Sequence, residues 1–357
     1  MSGKDKMYTM DGYLAIRKRN IIVLVVLGFV CVIAAYLSMG FNDNHMSISD
    51  ITTVIINHIN NVPFETPRQQ LEDTLVFSNF IPRAIGCMTI GAILAMGGAI
   101  MQSIIKNPLA DPFTTGLSSG ALVGVSLTII FGVGFGLSYH FDLMLMAFVF
   151  SMLPCAVIIF FTFFKKATSN IIILIGIAIS YIFSAASTMI LFMGTTMSYE
   201  KIYRWSLGSI AWLDSDSWMI LIPSTIVMLI IFIFMSKLVN IASVDDKFAT
   251  SLGVNSPKTR MICLFIVSVF TSITVSYAGT IGFVGLIIPN VARRIVSSDT
   301  KILLPFSAIL GGLFLLFSDC IARSVRLGGI SVGIITALIG GPVMLYILIK
   351  MKKNCWR

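Results

Sequence analysis

The sequence is poor in charge: Asp, Glu, Lys and Arg make up only 11% of its 357 residues. Soluble globular proteins carry about 25% charged residues, whereas here 57% of the residues are hydrophobic and the mean hydropathy is +0.94. This composition excludes a soluble domain, and it makes the net charge of +9 a sign of membrane topology rather than of nucleic-acid binding. The chain is therefore predicted to be a polytopic integral membrane protein.

Sequence signatures of catalysis and metal binding are also missing. No Walker phosphate-binding pattern occurs, since the one Gly-Lys pair, Gly3-Lys4, has no loop before it. HExxH and GxSxG are absent, and the six cysteines show no CxxC spacing. We expect no enzymatic activity, no metal site and no cofactor in this chain, so any ATP must be bound by another chain.

Ionisable residues are scarce within the apolar runs. Ion-coupled carriers commonly keep such residues near the membrane midplane as relays or ion sites. Here Arg83, Asp319 and Arg323 fall at the ends of runs, and Asp319 and Arg323 are spaced to pair along one helix face. This favours a conduit driven from outside. An ion-coupled carrier, an intramembrane enzyme and a structural membrane subunit are the alternatives.

Apolar runs long enough to cross a bilayer organise the chain. Eight of them lie at about 21–39, 80–105, 113–137, 143–164, 171–193, 218–235, 302–322 and 330–349. Residues 261–292 lack charge and are too long for one span, and Gly279, Gly282, Gly285 and Pro289 predict a break into helical pieces.

The distribution of Lys and Arg predicts the topology. Both termini are basic, so both should be cytoplasmic, which requires an even number of spans and gives ten. Only six of the 25 Lys and Arg residues then lie outside: Arg68, Arg83, Lys201, Arg204, Arg323 and Arg326.

Two external connections are too long to be simple turns. Within residues 40–79, a surface helix is predicted to begin near Ser49-Asp50. We interpret the whole loop as a solvated cap. Residues 198–217 are rich in aromatic residues, which favours either the membrane interface or a helix across the outer mouth that acts as a gate.

The cytoplasmic connection, residues 240–257, predicts a short amphipathic helix. Ser243 and Asp246 are spaced as a capping box, and Gly253 suits a helix stop. Its apolar stripe consists of Val244, Phe248 and Leu252. The stripe either packs on the protein's own spans or forms a docking surface for a cytoplasmic partner.

An ordered series of motifs resembles the FecCD family, the permease subunits of type II ABC importers for iron-siderophores, haem and vitamin B12. The motifs are IPR (81–83), GGAIMQ (97–102), NPLADP (107–112), GLSSGA (116–121), DDKFATSLGV (245–254), GTIGFVGLIIPNVAR (279–293), SDCIAR (318–323) and GISVGIITALIGGPVMLYIL (329–348). The resemblance covers about residues 20–350.

The resemblance implies the all-α, ten-span permease fold of type II ABC importers as a single domain over residues 1–357. Within it lie a cytoplasmic tail (1–20), a long extracytoplasmic loop (40–79) and a coupling-helix loop (240–257). It implies a cell-membrane protein that dimerises with an identical or paralogous chain. Its other partners would be two cytoplasmic ATPase subunits, which bind ATP and magnesium, and an extracytoplasmic binding protein. The expected cargo is an iron chelate (a siderophore or haem), with vitamin B12 as the alternative.

The resemblance also implies roles for individual residues. The candidate ATPase-coupling residues are Val244, Asp245, Asp246, Phe248, Ala249, Leu252 and Gly253. Arg83 and Arg323 would receive acidic residues of the binding protein. The candidate pathway and gate residues are Gln102, Asn107, Ser118, Ser119, Tyr203 and Trp205. For the polar residues within spans, a structural role between helices is the alternative.

The sequence departs from the family pattern at three places. Phe80 stands where family members often carry Arg, which leaves Arg68 as the candidate to compensate. Asn290 stands in place of the usual His after the FVGL..P proline, so no titrating role is transferred. The 40–79 loop is long for the family.

Overall fold

The computed structural model describes residues 10–42, 44–165, 169–213, 216–325 and 330–355, and within these ranges the chain is helical without strands. The helices are α1 (Met10–Ser38), α2 (Ile48–Ile59), α3 (Pro67–Leu75), α4 (Ile81–Ile105), α5 (Leu117–Phe131), α6 (Tyr139–Lys165), α7 (Ser169–Phe192), α8 (Thr196–Ser206), α9 (Trp218–Val244), α10 (Asp246–Ser251), α11 (Ser256–Ala278), α12 (Val284–Ile295), α13 (Thr300–Ser324) and α14 (Val332–Cys355). A π-helical turn, Val76–Phe80, joins α3 to α4, and a 3-10 turn, Pro112–Thr115, precedes α5.

Eight helical stretches in the described part of the chain are long and apolar enough to cross a membrane. They comprise α1, the continuous stretch from α3 to α4, α6, α7, α9, α11, α13 and α14. Two shorter helices, α5 with 15 residues and α12 with 12, occupy the other two predicted positions. The predicted all-helical, multi-span fold is confirmed.

α4 is the centre of the fold and is buried along almost its whole length. It packs against α13, α9, α11 and α12. A Cβ atom on Gly91 would lie 2.3 Å from the carbonyl oxygen of Gly311, and one on Gly98 would lie 1.9 Å from that of Gly285. Glycine is required at these crossings because the backbones touch, as is common where helices pack in lipid.

The charge-free stretch 261–292 breaks once. α11 ends at Ala278, Gly279 has φ +68° and Phe283 has φ +69°, and α12 follows. The predicted break is therefore correct at Gly279. Gly285 and Pro289 instead lie within α12, where the glycine permits the close contact with α4.

The span predicted over 113–137 is wrong at both ends. Pro112 begins the 3-10 turn and Gly116, at φ +90°, separates that turn from α5. Gly132, at φ +66°, ends α5 after only 15 residues. Left-handed glycines terminate helices readily, and two of them confine α5.

The 40–79 segment is a small helical unit packed on the start of α4. Its first helix is capped by Ser47, one turn before Asp50, rather than at Ser49-Asp50. Ile51 and Phe80 are buried together in one apolar cluster. His58 Nδ1 lies 2.7 Å from Asp73 Oδ1, and its ring stacks on Phe77 at 3.8 Å. The long loop is thus a folded cap with its own core.

The cytoplasmic tail predicted over 1–20 falls partly outside the described residues, which begin at Met10. α1 begins at Met10, so residues 10–20 of the predicted tail are part of this helix. Arg326, one of the six cations predicted to lie outside, also falls outside the described residues.

Candidate functional sites at the two ends of α4

The predicted site residues gather at opposite ends of α4. Arg83 is near its first turn and Lys106 caps its last, and the 23 residue steps from one to the other correspond to about 35 Å of helix. We refer to the Arg83 end and the Lys106 end of the molecule.

At the Arg83 end, one buried carboxylate binds two arginines. Asp319 is fully buried. Arg83 Nη2 donates to its Oδ1 at 2.8 Å and Nε donates to its Oδ2 at 3.0 Å, while Arg323 Nη2 lies 2.9 Å from Oδ2. The pairing of Asp319 with Arg323 was predicted from their spacing and is confirmed. The contribution of Arg83 was not predicted.

Both arginines predicted to dock the binding protein are largely enclosed. The side chains of Arg83 and Arg323 are 18% and 9% exposed. Arg323 Nη1 also donates to the carbonyl oxygen of Phe41 at 2.6 Å, which joins α13 to the turn that follows α1. The two side chains nevertheless contribute to the wall of an open cleft of about 890 Å³, together with Arg204 and Trp212.

The candidate gate, α8 with the residues after it, borders the same cleft. Trp205 is buried, whereas Tyr203 is 53% exposed. The Ser209 amide donates to the carbonyl oxygen of Ala278 at 2.8 Å, and the Thr280 hydroxyl donates to that of Ser206. The segment is thereby attached to the break between α11 and α12.

Arg68, the candidate to compensate for Phe80, lies elsewhere. It pairs with Glu72 at 2.8 Å on α3, its side chain is 86% exposed, and it lines a separate cleft between α2 and α3.

At the Lys106 end, α10 follows α9 after one extended residue, Asp245. The carboxylate of Asp245 accepts a hydrogen bond from the amide of Lys247 at 3.1 Å and caps the helix. The predicted capping box of Ser243 and Asp246 is wrong, because α9 continues to Val244 and the Ser243 hydroxyl donates to the carbonyl of Asn240. Gly253, at φ +77°, ends the segment as predicted.

The apolar stripe of this segment is only partly covered by the protein. Val244 belongs to the last turn of α9 rather than to α10, and it is 64% exposed. Phe248 and Leu252 are 49% and 54% exposed, and only Ala249 turns fully inward. About half of the Phe248 and Leu252 side chains is thus covered by the protein, and the other half remains accessible to a partner.

Asp246 is bound by two other helices, which the sequence did not predict. Lys106 Nζ lies 2.8 Å from Asp246 Oδ1, and Arg260 Nη2 lies 3.1 Å from the same atom. Arg260 is buried, and its Nε donates to the carbonyl oxygen of Ile104 at 3.0 Å. The hydrogen bond from Lys106, followed by the charge of Arg260, holds the pKa of Asp246 below its usual range.

Gln102, a pathway candidate, joins α4 to α12. It is buried, its Nε2 donates to the carbonyl oxygens of Gly285 and Leu286 at 3.2 and 3.1 Å, and its Oε1 accepts from Arg293. These contacts fit a structural role between helices, because the nitrogen and the oxygen of the side-chain amide both bond within the chain.

The other polar candidates lie around the NPLADP segment. Asn107 Oδ1 accepts a hydrogen bond from the Leu109 amide at 2.9 Å. The residue also lines a cleft of about 460 Å³. Ser118 and Ser119 are half-buried on α5, and the Ser119 hydroxyl donates to the carbonyl of Gly116.

Asn290, the departure from the family histidine, donates from Nδ2 to the carbonyl oxygen of Pro108 at 3.1 Å. It thereby fastens α12 to the NPLADP segment, and a side-chain amide suffices for that contact.

Comparison with known proteins gives a consistent result. The model of the FecCD transport family matches residues 30–350. An iron chelatin transport system permease protein of Helicobacter pylori is 29% identical over 91% of this chain and 98% of its own length. The cobalamin import system permease protein BtuC of Halobacterium salinarum is 34% identical over 75% and 71%. A solved inward-facing metal-chelate type ABC transporter aligns with a TM-score of 0.79 and 29% identity, covering 92% of this chain and 99% of that one.

Proposed function

The chain belongs to the FecCD transport family and is an ABC importer permease, and on that premise we propose that it imports an iron chelate by alternating access. A separate ATPase supplies the energy and an extracytoplasmic binding protein delivers the cargo. The permease acts as a dimer in the cell membrane with both termini in the cytoplasm, so the Lys106 end is cytoplasmic and the Arg83 end is external.

The single observation that carries this proposal is the exposed apolar face of α10. The helix is too polar on its other faces to enter the bilayer, yet it presents Phe248 and Leu252 to its surroundings. An amphipathic helix of this kind seats its apolar face in a groove of a partner. The ATPase is the partner that the family requires on this side, so α10 is the coupling helix and Gly253 terminates it.

At the external end, Arg83 and Arg323 receive acidic residues of the binding protein. Both arginines contribute their positively charged guanidinium groups to the wall of an open cleft. Such a charge steers an acidic partner and fixes its orientation more than it adds affinity.

The cargo passes a pathway lined by small and apolar residues, with α8 acting as the external gate. Weak binding along the pathway is what an importer needs when a separate protein selects the ligand. Iron chelates are favoured because an iron chelatin permease matches over almost the whole chain and the aligned transporter structure is of the metal-chelate type. Cobalamin is the second candidate because a cobalamin permease shares 34% identity.

Substitution of Leu252 by Asp tests the coupling assignment. It places a charge on the exposed stripe, so we expect the ATPase to stop co-purifying and uptake to be lost, while the permease still inserts in the membrane. The matched control is Leu71→Asp, which changes an exposed leucine on α3 at the other end. An ATPase that still co-purifies with Leu252→Asp contradicts the assignment.

The cargo is tested separately by uptake in a strain that lacks this permease. We expect complementation to restore accumulation of iron-55 supplied as a hydroxamate, catecholate or haem chelate. Restoration of cobalt-57 cobalamin uptake alone would make the protein a cobalamin importer instead.

A further inference from the structure

We infer that Asp246 is a positioning residue that transmits the movement of α10 to α4 and α11. The inference rests on the proposed function, because it assumes that α10 binds an ATPase. It differs from the role implied by family resemblance, in which this aspartate is one of the residues that couple the permease to the ATPase. The carboxylate is instead engaged by the permease itself.

The attachment consists of two cations from two helices on one carboxylate oxygen. Lys106 caps α4 in a left-handed conformation, and its Nζ reaches Asp246 Oδ1 at 2.8 Å. Arg260, in the second turn of α11, reaches the same oxygen at 3.1 Å. Because Arg260 also donates to the carbonyl oxygen of Ile104, the ends of α4, α10 and α11 are joined in one network.

α10 has few other means of passing on a force. It has six residues, and Ala249 is its only buried side chain. Asp245 before it is extended, at φ −151° and ψ 150°, and Gly253 after it is left-handed, so α10 is not continuous with α9 or α11. A pull on Phe248 and Leu252 would therefore turn α10 about these residues unless Asp246 held it to the spans.

The two helices that hold Asp246 both lead to the opposite end of the molecule. α4 runs to Arg83 and its buried contact with Asp319 on α13. α11 runs to Ala278, whose carbonyl oxygen accepts from Ser209 after α8. Rigid helices joined by such contacts are a physical route for coupling between distant sites. The candidate gate is thus connected to α10 through Arg260 and α11.

Loss of the carboxylate should separate ATP hydrolysis from transport. Without it, α10 is no longer held to α4 and α11, so the amount of cargo moved per ATP hydrolysed should fall about tenfold. The ATPase should still bind, because Phe248 and Leu252 are unchanged.

The experiment uses the full importer, permease with ATPase and binding protein, reconstituted in liposomes. For Asp246→Asn we expect normal co-purification of the ATPase, retained ATP hydrolysis and a ratio of iron-chelate uptake to ATP hydrolysed that falls about tenfold. Asp246→Glu keeps the carboxylate and should restore most of this ratio. The matched control is Glu65→Gln, which removes an exposed carboxylate from the α2–α3 unit at the other end of the molecule. Its ratio should stay near that of the wild type.

Three results would overturn the inference. An unchanged ratio in Asp246→Asn would show that the contact carries no coupling. Loss of the ATPase from Asp246→Asn would make Asp246 part of the docking face itself. An equal fall in Glu65→Gln would show that the ratio responds to the loss of a carboxylate anywhere on the permease. A failure of the proposed function gives a different result, because the ATPase would then still co-purify with Leu252→Asp.

Discussion

At each end of α4 one carboxylate lies between two cations, yet the two clusters differ in their exposure to solvent. Asp319 is fully buried between Arg83 and Arg323, which are themselves mostly enclosed. The Asp246 side chain is 49% exposed, and of its two partners only Arg260 is buried.

This difference separates a fixed contact from an adjustable one. A buried ion pair resists change because either partner left alone is an uncompensated charge away from water. At the Lys106 end only Arg260 is buried, so this contact holds α10 to the spans while α10 stays accessible to a partner. The Arg83 end is therefore suited to hold α4, α13 and the turn that follows α1 together, and the Lys106 end is suited to move with a partner.

The largest expected effect is at Asp319. Its replacement by Ala leaves two arginines without their shared carboxylate, and breaking a buried pair of this kind costs about 3–5 kcal/mol. We expect a marked fall in the midpoint of thermal unfolding in detergent, followed by size-exclusion chromatography. Glu65→Ala, at an exposed carboxylate of the α2–α3 unit, is the control and should leave the midpoint unchanged. A stable Asp319→Ala protein would refute the structural role of the cluster.

The docking arginines are tested by reversal of Arg83 and Arg323 to Glu. We expect weaker capture of the binding protein in a pull-down, because the reversed charges repel its acidic residues. The same reversal also places negative charge beside Asp319 and could unfold the protein. Capture is therefore measured only for variants whose size-exclusion elution profile matches that of the wild type. Unchanged capture by such a variant would remove these arginines from the docking surface.

A smaller effect is expected at Phe80, which lies about one helical turn before Arg83. Phe80 lies in an apolar cluster with Ile51 of α2. Replacement by Ala should destabilise the attachment of the 40–79 unit by about 3 kcal/mol, because it removes a buried ring. In Phe80→Ala we therefore expect faster amide hydrogen exchange in α2 and unchanged exchange in α10. The control is Phe64→Ala, whose ring is half exposed; equal exchange in both variants would contradict this role.

The smallest effect is the response of the Lys106 end to pH. Hydrogen bonding by Lys106 lowers the pKa of Asp246, so the attachment is favoured above the unfolded-state pKa and is lost as pH falls through the lower, folded-state value. Since an unperturbed Asp titrates at about 3.9, we expect no change in protease sensitivity of residues 245–253 between about pH 5 and 8. Cleavage that increases within that range would show that another group controls the attachment.

Local patterns predicted the helices and one of the ion pairs. The apolar runs located the spans, the stripe of Phe248 and Leu252 identified an amphipathic helix, and Asp319 and Arg323 were paired from a spacing of four. These predictions succeeded because each depends on residues within two or three helical turns of one another. Where neighbouring glycines and prolines set the ends, as in α5, the same patterns gave wrong bounds.

By itself, then, the sequence determined that this is a multi-span helical membrane protein with a polar, amphipathic segment over residues 245–253, because hydrophobicity and helical period are local properties. Only the tertiary structure decided which charges meet. Arg83 reaches Asp319 across 236 residues and Lys106 reaches Asp246 across 140. Such contacts depend on how close helices approach, which the glycine crossings of α4 with α12 and α13 control, and no local spacing encodes that distance.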